Sequence, residues 1–472
     1  MRAFIWSFIG QFGNLTITIV GTIILSRILD PKDFGYMAMI MYWINLAQTV
    51  NNFGIHHIIV LNKEITMKEL SSLFWFNMLL SLCFFSFFFF GAGIFGRFYK
   101  HDEVEMLSLI LSFNFLLSAF LMVPQAMLHQ QQKFRTQSII LLISTITGFC
   151  VSIWGTYITG SYLFLAVQQL VTVGTNFILH FLYFTWMPKF SLGMHYLKSN
   201  RKFAGNLFSV YFLEYIAQNM DTFIVGKVST ERITGLYSRA SVFSILPVQN
   251  FTAAISKVLL PKIRDISPGT VVFNQLYIHY FKIILGTVSI LMFFLISVDV
   301  YFIEFIFGKK WLPMRDYFDL FCLIGIFSSI LSYIDLILLS TKKSAILLVF
   351  IIIEKTLLIV FLFCGYAFGI KGVLIAKLIF TFGIFIPKNV FMNKILKIPV
   401  MHLVMDTVKI LSIPLTIGLL CFFIKQQLPE YSPAIILSLI FTLWAAGFML
   451  FNHHIMNKFY TNIIRNIIKA KK

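Results

Sequence analysis

Charge is what this chain has least of. Only 12% of its 472 residues are Asp, Glu, Lys or Arg, about half the share usual in a soluble domain. A surface so poor in charge excludes a water-soluble globule of this length. Acid is scarcer still, with 19 Asp and Glu against 38 Lys and Arg. The five cysteines, Cys83, Cys150, Cys322, Cys364 and Cys421, all lie within apolar runs. None stands at metal-ligand spacing, so they suggest no metal site and report no redox compartment. Long polar loops are missing too: none exceeds roughly twenty residues, which leaves no room for an extramembrane catalytic domain. There is no phosphate-cradling P-loop and no nucleophile elbow, so nothing points to ATP hydrolysis or acyl transfer.

Apolar runs fill the space. Hydrophobic residues make up 58% of the chain, in repeated stretches of about 20 residues or more. Such runs must satisfy their backbone internally, so the expected fold class is an all-α polytopic membrane protein with about fourteen transmembrane helices. Their extents are 3–26, 35–61, 71–96, 105–128, 137–157, 162–185, 203–227, 236–262, 278–307, 314–340, 344–366, 371–393, 402–425 and 433–456. The first run follows Arg2, is about twice the length of a signal-peptide core and has no small-residue cleavage site, so it reads as a helix. The net charge of +19 would suggest nucleic acid in a soluble protein. Here the basic residues sit mostly in short loops, where they set topology and meet anionic headgroups. Nucleic acid is therefore not an expected partner. With the N-terminus inside, cytoplasmic loops hold Lys and Arg over outer loops by about two to one, and both termini fall in the cytoplasm.

The chain repeats itself. ILSRILDPKDFGYMAM (24–39) is echoed by IVGKVSTERITGLYSR (224–239). Arg27 falls on Lys227 and Gly35 on Gly235, at an ungapped offset of 235 − 35 = 200. Each copy joins two apolar runs through a charge, a turn cluster and a glycine where backbones can approach. Six helices per repeat give two parallel six-helix bundles around a central cavity, related by an axis along the membrane normal. The expected domains are 1–186, a cytoplasmic linker at 187–202, 203–393, and 394–472 with two extra helices and a basic tail.

Charged and polar groups inside apolar runs are costly and mark cavities or partners. Tyr211, Glu214, Gln218 and Asp221 fall on one helical stripe. The same face 200 residues earlier carries Gln11, Asn14, Thr18 and Gly21. The two helices are expected to face one another across a hydrated cavity. Interhelical hydrogen bonding is the alternative, although two carboxylates are expensive for that purpose. Arg27, Lys227 and Arg239 lie near helix ends. They suit either an anionic, phosphate-bearing ligand or ordinary snorkelling, and snorkelling is the better account of Arg27 and Lys227. Glu214 and Asp221 are the candidates for ion coupling. Asp335, Glu354, Lys355 and Lys377 are further charges at membrane depth; Glu354 and Lys355, being adjacent, diverge by about 100° and are not expected to pair on one face. Asp406 and Lys409 are expected to form a local pair. The His56–His57 and His453–His454 doublets diverge along a helix and lack a third ligand, so no metal and no cofactor is expected.

With these stretches assembled, the chain resembles the Wzx-type polysaccharide flippases of the MATE-like (MOP) superfamily, in the branch of colanic-acid and teichuronic-acid exporters. The stretches that carry the resemblance are SRILDPKDFGYMAM (26–39), NNFGIHHIIV (51–60), LSSLFWFN (70–77), VPQAMLHQQQKFR (123–135), NMDTFIVGK (219–227), GLYSRASVF (235–243), PVQNFTAAISKVLLPKIR (247–264) and GKKWLP (308–313). The resemblance implies a non-enzymatic flippase with two bundles around a cavity that opens alternately to each side. It implies an undecaprenyl-diphosphate-linked oligosaccharide as substrate, moved across the cytoplasmic membrane, with membrane lipids around it. It leaves room for other polysaccharide-assembly membrane proteins as partners. Asn52 stands where that family often has an acidic residue. Two rival classes are a small-cation or drug exporter of the same superfamily, whose cavity should be acidic with few cationic groups, and a membrane-embedded polymerase or glycosyltransferase, which would need a long outer loop or a clustered acid–base site.

Overall fold

The structure is a computed structural model. It describes residues 2–52, 55–61, 64–184, 187–191, 201–263, 266–340, 344–396, 398–427 and 433–451. Most of the expected 187–202 linker, the doublet His453–His454 and the basic tail with Arg465, Lys469, Lys471 and Lys472 lie outside the described residues. All regular structure among the described residues is helical, as the apolar runs require. Among the described residues, ten helical spans are long and apolar enough to cross a membrane. The remaining four of the fourteen expected spans are helical over their described residues but fall short of that measure. Of these, 203–227 carries the charged stripe, and the last is a shorter apolar helix, Ile435–Met449.

Two compact units divide the chain, Met1–Ser238 and Arg239–Lys472. In the first, α1 (Arg2–Ile28) and α2 (Pro31–Asn52) form a hairpin. Short α3 (Ile55–Leu61) follows, then α4 (Met67–Phe90), α5 (Ala92–Tyr99), α6 (Asp102–Gln130), α7 (Phe134–Thr159) and α8 (Leu163–Tyr183). Next comes α9 (Arg201–Val228), and α10 (Glu231–Ile263) begins in this unit and continues into the second. Helix α1 packs along α7, and α9 packs on α2. The α1–α7 seam is close because Gly10 and Gly21 present no side chain: a Cβ there would collide with Ser138 and Phe149. Small residues at such a seam let membrane helices approach without a hydrophobic driving force.

The two repeat copies break in register. Helix α1 ends at Ile28 and α2 starts at Pro31, while α9 ends at Val228 and α10 starts at Glu231. Each break is held by a short polar side chain. Asp33 accepts from the Asp30 N–H at 2.8 Å, and Thr230 accepts from the Ile233 N–H at 3.4 Å. These satisfy orphan donors at a helix N-terminus. Helix α4 begins with a complete capping box, in which Glu69 donates its N–H to Thr66 and Thr66 donates its N–H back to the Glu69 carboxylate.

The second unit contains the rest of α10, α11 (Val271–Ser297), α12 (Asp299–Phe307) and a 3₁₀ turn (Lys309–Met314). It continues with α13 (Arg315–Ser340), α14 (Ser344–Tyr366), α15 (Gly369–Gly383), α16 (Phe385–Leu396), α17 (Val400–Gln427) and α18 (Pro433–Phe451). The last two dock on the unit through an apolar cluster of Val298, Cys421, Ile436, Ile440 and Trp444. Polar clamps add to it. Lys282 on α11 meets Asp406 on α17 at 2.9 Å, which corrects the expected local pairing of Asp406 with Lys409. Buried Asp299 is held by Arg315 and, at 2.6 Å, by Lys425. The Lys388 ammonium on α16 is fully buried between Asp335 on α13 (2.8 Å) and Glu354 on α14 (2.7 Å). Lys355 takes the other Glu354 oxygen at 3.1 Å. The adjacent pair therefore does meet, because the long lysine stem bends around the helix to reach its neighbour.

Candidate functional site

Inside the first unit lies a cavity of about 670 Å³, within the range of ligand pockets. Helix α2 supplies Gln48, Thr49, Asn51 and Asn52 to its wall, and α3 supplies His56. Helix α4 adds Asn77; α6 adds Ser118, Leu121, Met122 and Gln125; α8 adds Thr172, Val173 and Asn176. Helix α9 closes it with Phe208, Tyr211, Glu214, Tyr215 and Gln218. Seven of these eighteen side chains are Asn or Gln amides, one is a carboxylate, and none is Lys or Arg.

The wall is organised by its own hydrogen bonds. Gln218, one helical turn beyond Glu214, donates its amide to the carboxylate at 2.9 Å. Tyr215 donates its hydroxyl to the Tyr42 carbonyl at 2.8 Å, tying α9 to α2. Gln125 donates to Asn176 at 3.3 Å between α6 and α8. Asn51 donates to Ser81 at 2.8 Å between α2 and α4. Asn77 is 1% exposed and donates to the Ala119 carbonyl, while its Oδ1 has no hydrogen-bond partner among the described residues. At the rim, His56 and His129 share one hydrogen bond at 3.2 Å. No group of three or more metal-ligating side chains occurs among the described residues.

Of the nine residues singled out from sequence, Tyr211, Glu214 and Gln218 line this cavity together. Their i, i+3, i+7 spacing on α9 puts them on one face, as the stripe predicted. Asp221, one turn further, is 1% exposed and accepts from the Tyr237 hydroxyl at 2.8 Å. Asn14 is half-buried on α1 and accepts from Thr145 on α7 at 2.7 Å, which is interhelical hydrogen bonding. Thr18 is half-buried on the same helix, and among the described residues none from α1 lines the cavity. Arg27 is exposed at the end of α1. Lys227 lies over the Phe98 ring at 3.8 Å and donates to the Phe98 carbonyl at the end of α5, a cation–π and helix-end arrangement. Arg239 is half-buried at the start of the second unit. The sequence reading followed charge and so passed over Gln48, Asn51, Asn77, Gln125 and Asn176. Their signal was present: amides within apolar runs, each needing a polar partner or water.

The comparisons bear on this geometry. The model of a family described as "Polysaccharide biosynthesis protein" matches residues 24–316, well over half of the chain. The lipopolysaccharide biosynthesis protein WzxC of Escherichia coli (strain K12) is 23% identical over 353 residues, 72% of this chain and 69% of that protein. The teichuronic acid biosynthesis protein TuaB of Bacillus subtilis (strain 168) is 22% identical over 323 residues, 68% of this chain and 67% of that protein. Among solved structures, the lipid II flippase MurJ in an inward closed conformation superposes with a TM-score of 0.75 at 17% identity, covering 96% of this chain and all of that one. An inward-facing multidrug resistance MATE transporter of the MOP superfamily superposes with a TM-score of 0.59 at 11% identity, covering 81% of this chain and 95% of that one. At such identities the structures show a shared fold alone, and the family match carries the assignment: this chain is a member of the polysaccharide biosynthesis protein family.

Proposed function

We propose that this protein is a flippase. It moves an undecaprenyl-diphosphate-linked oligosaccharide from the cytoplasmic to the outer leaflet of the cytoplasmic membrane, by alternating access, for export of a surface polysaccharide. The observation that carries the reading is the amide-rich cavity among helices of a membrane-crossing fold. Amides and hydroxyls at membrane depth are retained where they line a hydrated path or bind a polar ligand, and a sugar offers matching donors and acceptors all round. The prenyl chain stays in lipid while the sugar passes. Tyr211, Glu214 and Gln218 contact the sugar. The expected six-helix bundles, with both termini in the cytoplasm, remain part of this proposal, as do Arg27, Lys227 and Arg239 as contacts for diphosphate, Asn14 and Thr18 as second-wall contacts, and Glu214 and Asp221 as ion-coupling groups. The relatives named for polysaccharide biosynthesis and the flippase fold support transport without catalysis.

A second reading has one observation in its favour. Among the described residues the cavity is lined by a single carboxylate, no Lys or Arg and three aromatic side chains, which also suits a small organic cation. The amides argue against it, since a lipophilic cation offers few hydrogen-bonding groups to a wall so rich in them.

The deciding experiment reconstitutes the full chain in liposomes carrying undecaprenyl-diphosphate-linked oligosaccharide on the inner leaflet. A membrane-impermeant glycosidase outside then reads arrival of the sugar. Protein-dependent cleavage is expected. Cleavage no faster than in protein-free liposomes, with the protein shown to be folded, overturns the flippase reading.

A further inference from the structure

We propose that the cavity reads an acetamido group of the glycan, and that Asn77 is the residue that accepts its N–H. The inference rests on the flippase reading and narrows its substrate class to oligosaccharides that carry an N-acetylamino sugar.

The first observation is a hydrogen bond left unmade. Asn77 on α4 lines the cavity and is 1% exposed. Its Nδ2 donates to the Ala119 carbonyl on α6 at 3.3 Å. Facing a carbonyl, an amide presents its NH₂ group, so Oδ1 is turned away from Ala119. Oδ1 is buried and has no hydrogen-bond partner among the described residues. A buried acceptor without a donor is costly, and at a cavity wall a ligand is the natural source of the donor. Oδ1 lies just beneath the wall, and a small rotation of the side chain brings it to an incoming N–H.

The second observation is what stands around the acceptor. The Asn77–Ala119 bond sets the register of α4 against α6. One turn from Asn77, Leu73 and Phe74 pack in one apolar cluster with Met122, which lies one turn from Ala119. Met122 and its neighbour Leu121 also line the cavity, each 5% exposed. The acceptor is therefore set against an apolar patch. A lone sugar hydroxyl would satisfy Oδ1 and leave that patch wet. An acetamido group carries both partners: its N–H donates to Oδ1, and its methyl lies on Leu121 and Met122, where burial is favourable.

The third observation sets Asn77 apart from other amides of the wall. Asn51 exchanges two hydrogen bonds with Ser81, at 2.8 and 3.2 Å. Gln125 gives its amide to Asn176 at 3.3 Å. These side chains hold one helix to another and keep the wall in shape. Asn77 does that with its NH₂ group alone and keeps its oxygen for the ligand. A site built around a substrate N–H discriminates strongly against an analogue that lacks it, because the site's own polar group is then buried unpaired. Asn77 is thus a specificity-determining residue of this cavity.

The test uses three methyl β-glucopyranosides that differ only at C2, where one carries an acetamido group, one an O-acetyl ester and one a hydroxyl. The ester keeps the methyl and the carbonyl but has no N–H. Binding to the full chain in nanodiscs is read by saturation-transfer NMR. The acetamido probe should bind about tenfold more tightly than the ester and about threefold more tightly than the hydroxyl form, with the strongest transfer on its acetyl methyl. Asn77→Ala should bring the acetamido-to-ester ratio below about threefold, with Asn77→Leu as a second variant and thermal melting as the check on folding. A merely structural role would weaken both probes alike and leave the ratio as it was. Met122→Ala should weaken the two acetylated probes and spare the hydroxyl form. Equal or tighter binding of the ester by the unaltered protein overturns the inference and leaves the flippase reading standing. An unchanged ratio in both folded Asn77 variants overturns the assignment to Asn77. No saturation transfer to any of the three shows that the cavity takes no sugar, and overturns the inference together with the cavity's part in the flippase reading.

Discussion

Gly35 and Gly235 lie against one another, each at the step where the other's helix begins. A Cβ on Gly35 would fall inside the backbone of Glu231, and a Cβ on Gly235 would fall inside the backbone of Pro31. Since 231 − 31 = 200 and 235 − 35 = 200, the contact is reciprocal. It is the self-complementary contact expected of a two-fold relation, here between two segments of one chain. Gly35→Ala and Gly235→Ala should each destabilise the protein by about 1–3 kcal/mol, the usual cost of overpacking. The double variant should depart from additivity, because the two sites share one contact. Gly205→Ala, where a Cβ meets nothing within 4 Å, should leave stability unchanged or raise it by up to about 1 kcal/mol. Thermal unfolding in detergent reads all four.

Lys388 is 0% exposed between Asp335 and Glu354. Lys388→Met should cost about 3–5 kcal/mol, because it takes the central cation from buried Glu354 and half-buried Asp335. Replacing the whole group by apolar side chains (Lys388→Met, Lys355→Met, Asp335→Leu and Glu354→Met) should recover most of the loss, since a buried pair stabilises little beyond its apolar replacement. The pair Lys371–Asp316 is 58% and 57% exposed at 2.8 Å, and Lys371→Ala should cost less than about 1 kcal/mol. Equilibrium unfolding of the three variants gives the ranking.

Asp221 accepts from the hydroxyl of Tyr237, a side chain with 0% exposure. Asp221→Leu strands that donor and should cost about 1–3 kcal/mol. Asp221→Asn keeps an acceptor and should stay within about 1 kcal/mol of the parent. If Asn at 221 also abolishes transport in folded protein, the charge itself is used. Retained transport would assign Asp221 to holding α10 against α9.

Tyr211 faces the cavity and is 42% exposed. Tyr211→Ala removes an aromatic face and should lower transport on the order of tenfold, equivalent to about 1.4 kcal/mol. Tyr157, 80% exposed near the end of α7, is the matched control, and Tyr157→Ala should transport normally. Liposome transport rates, with protein content equalised, make the comparison.

The helical, membrane-crossing class was legible from hydropathy because a backbone in lipid has few ways to satisfy itself. The hairpin repeat was legible too, since a turn cluster and a glycine are local requirements written in adjacent residues. The cavity was half legible. The stripe on α9 was readable from its period, so Tyr211, Glu214 and Gln218 were found. Its other walls come from α2, α3, α4, α6 and α8, whose side chains are far apart in sequence and meet only through helix packing.

Charge patterns misled wherever the partner was distant. Asp406 pairs with Lys282 rather than Lys409, and Lys227 settles on Phe98; long side chains choose among neighbours that packing supplies. The order of residues by itself therefore determined that the chain is helical, that its hairpin stretch recurs 200 residues on and that α9 has one polar face, because each is written in local runs, turn clusters and periods. Tertiary structure decided that α1 binds α7, that amides from five helices line one volume, and that Gly35 meets Gly235. Those depend on which surfaces can approach closely enough to exclude one another's side chains, and that is a property of pairs of helices.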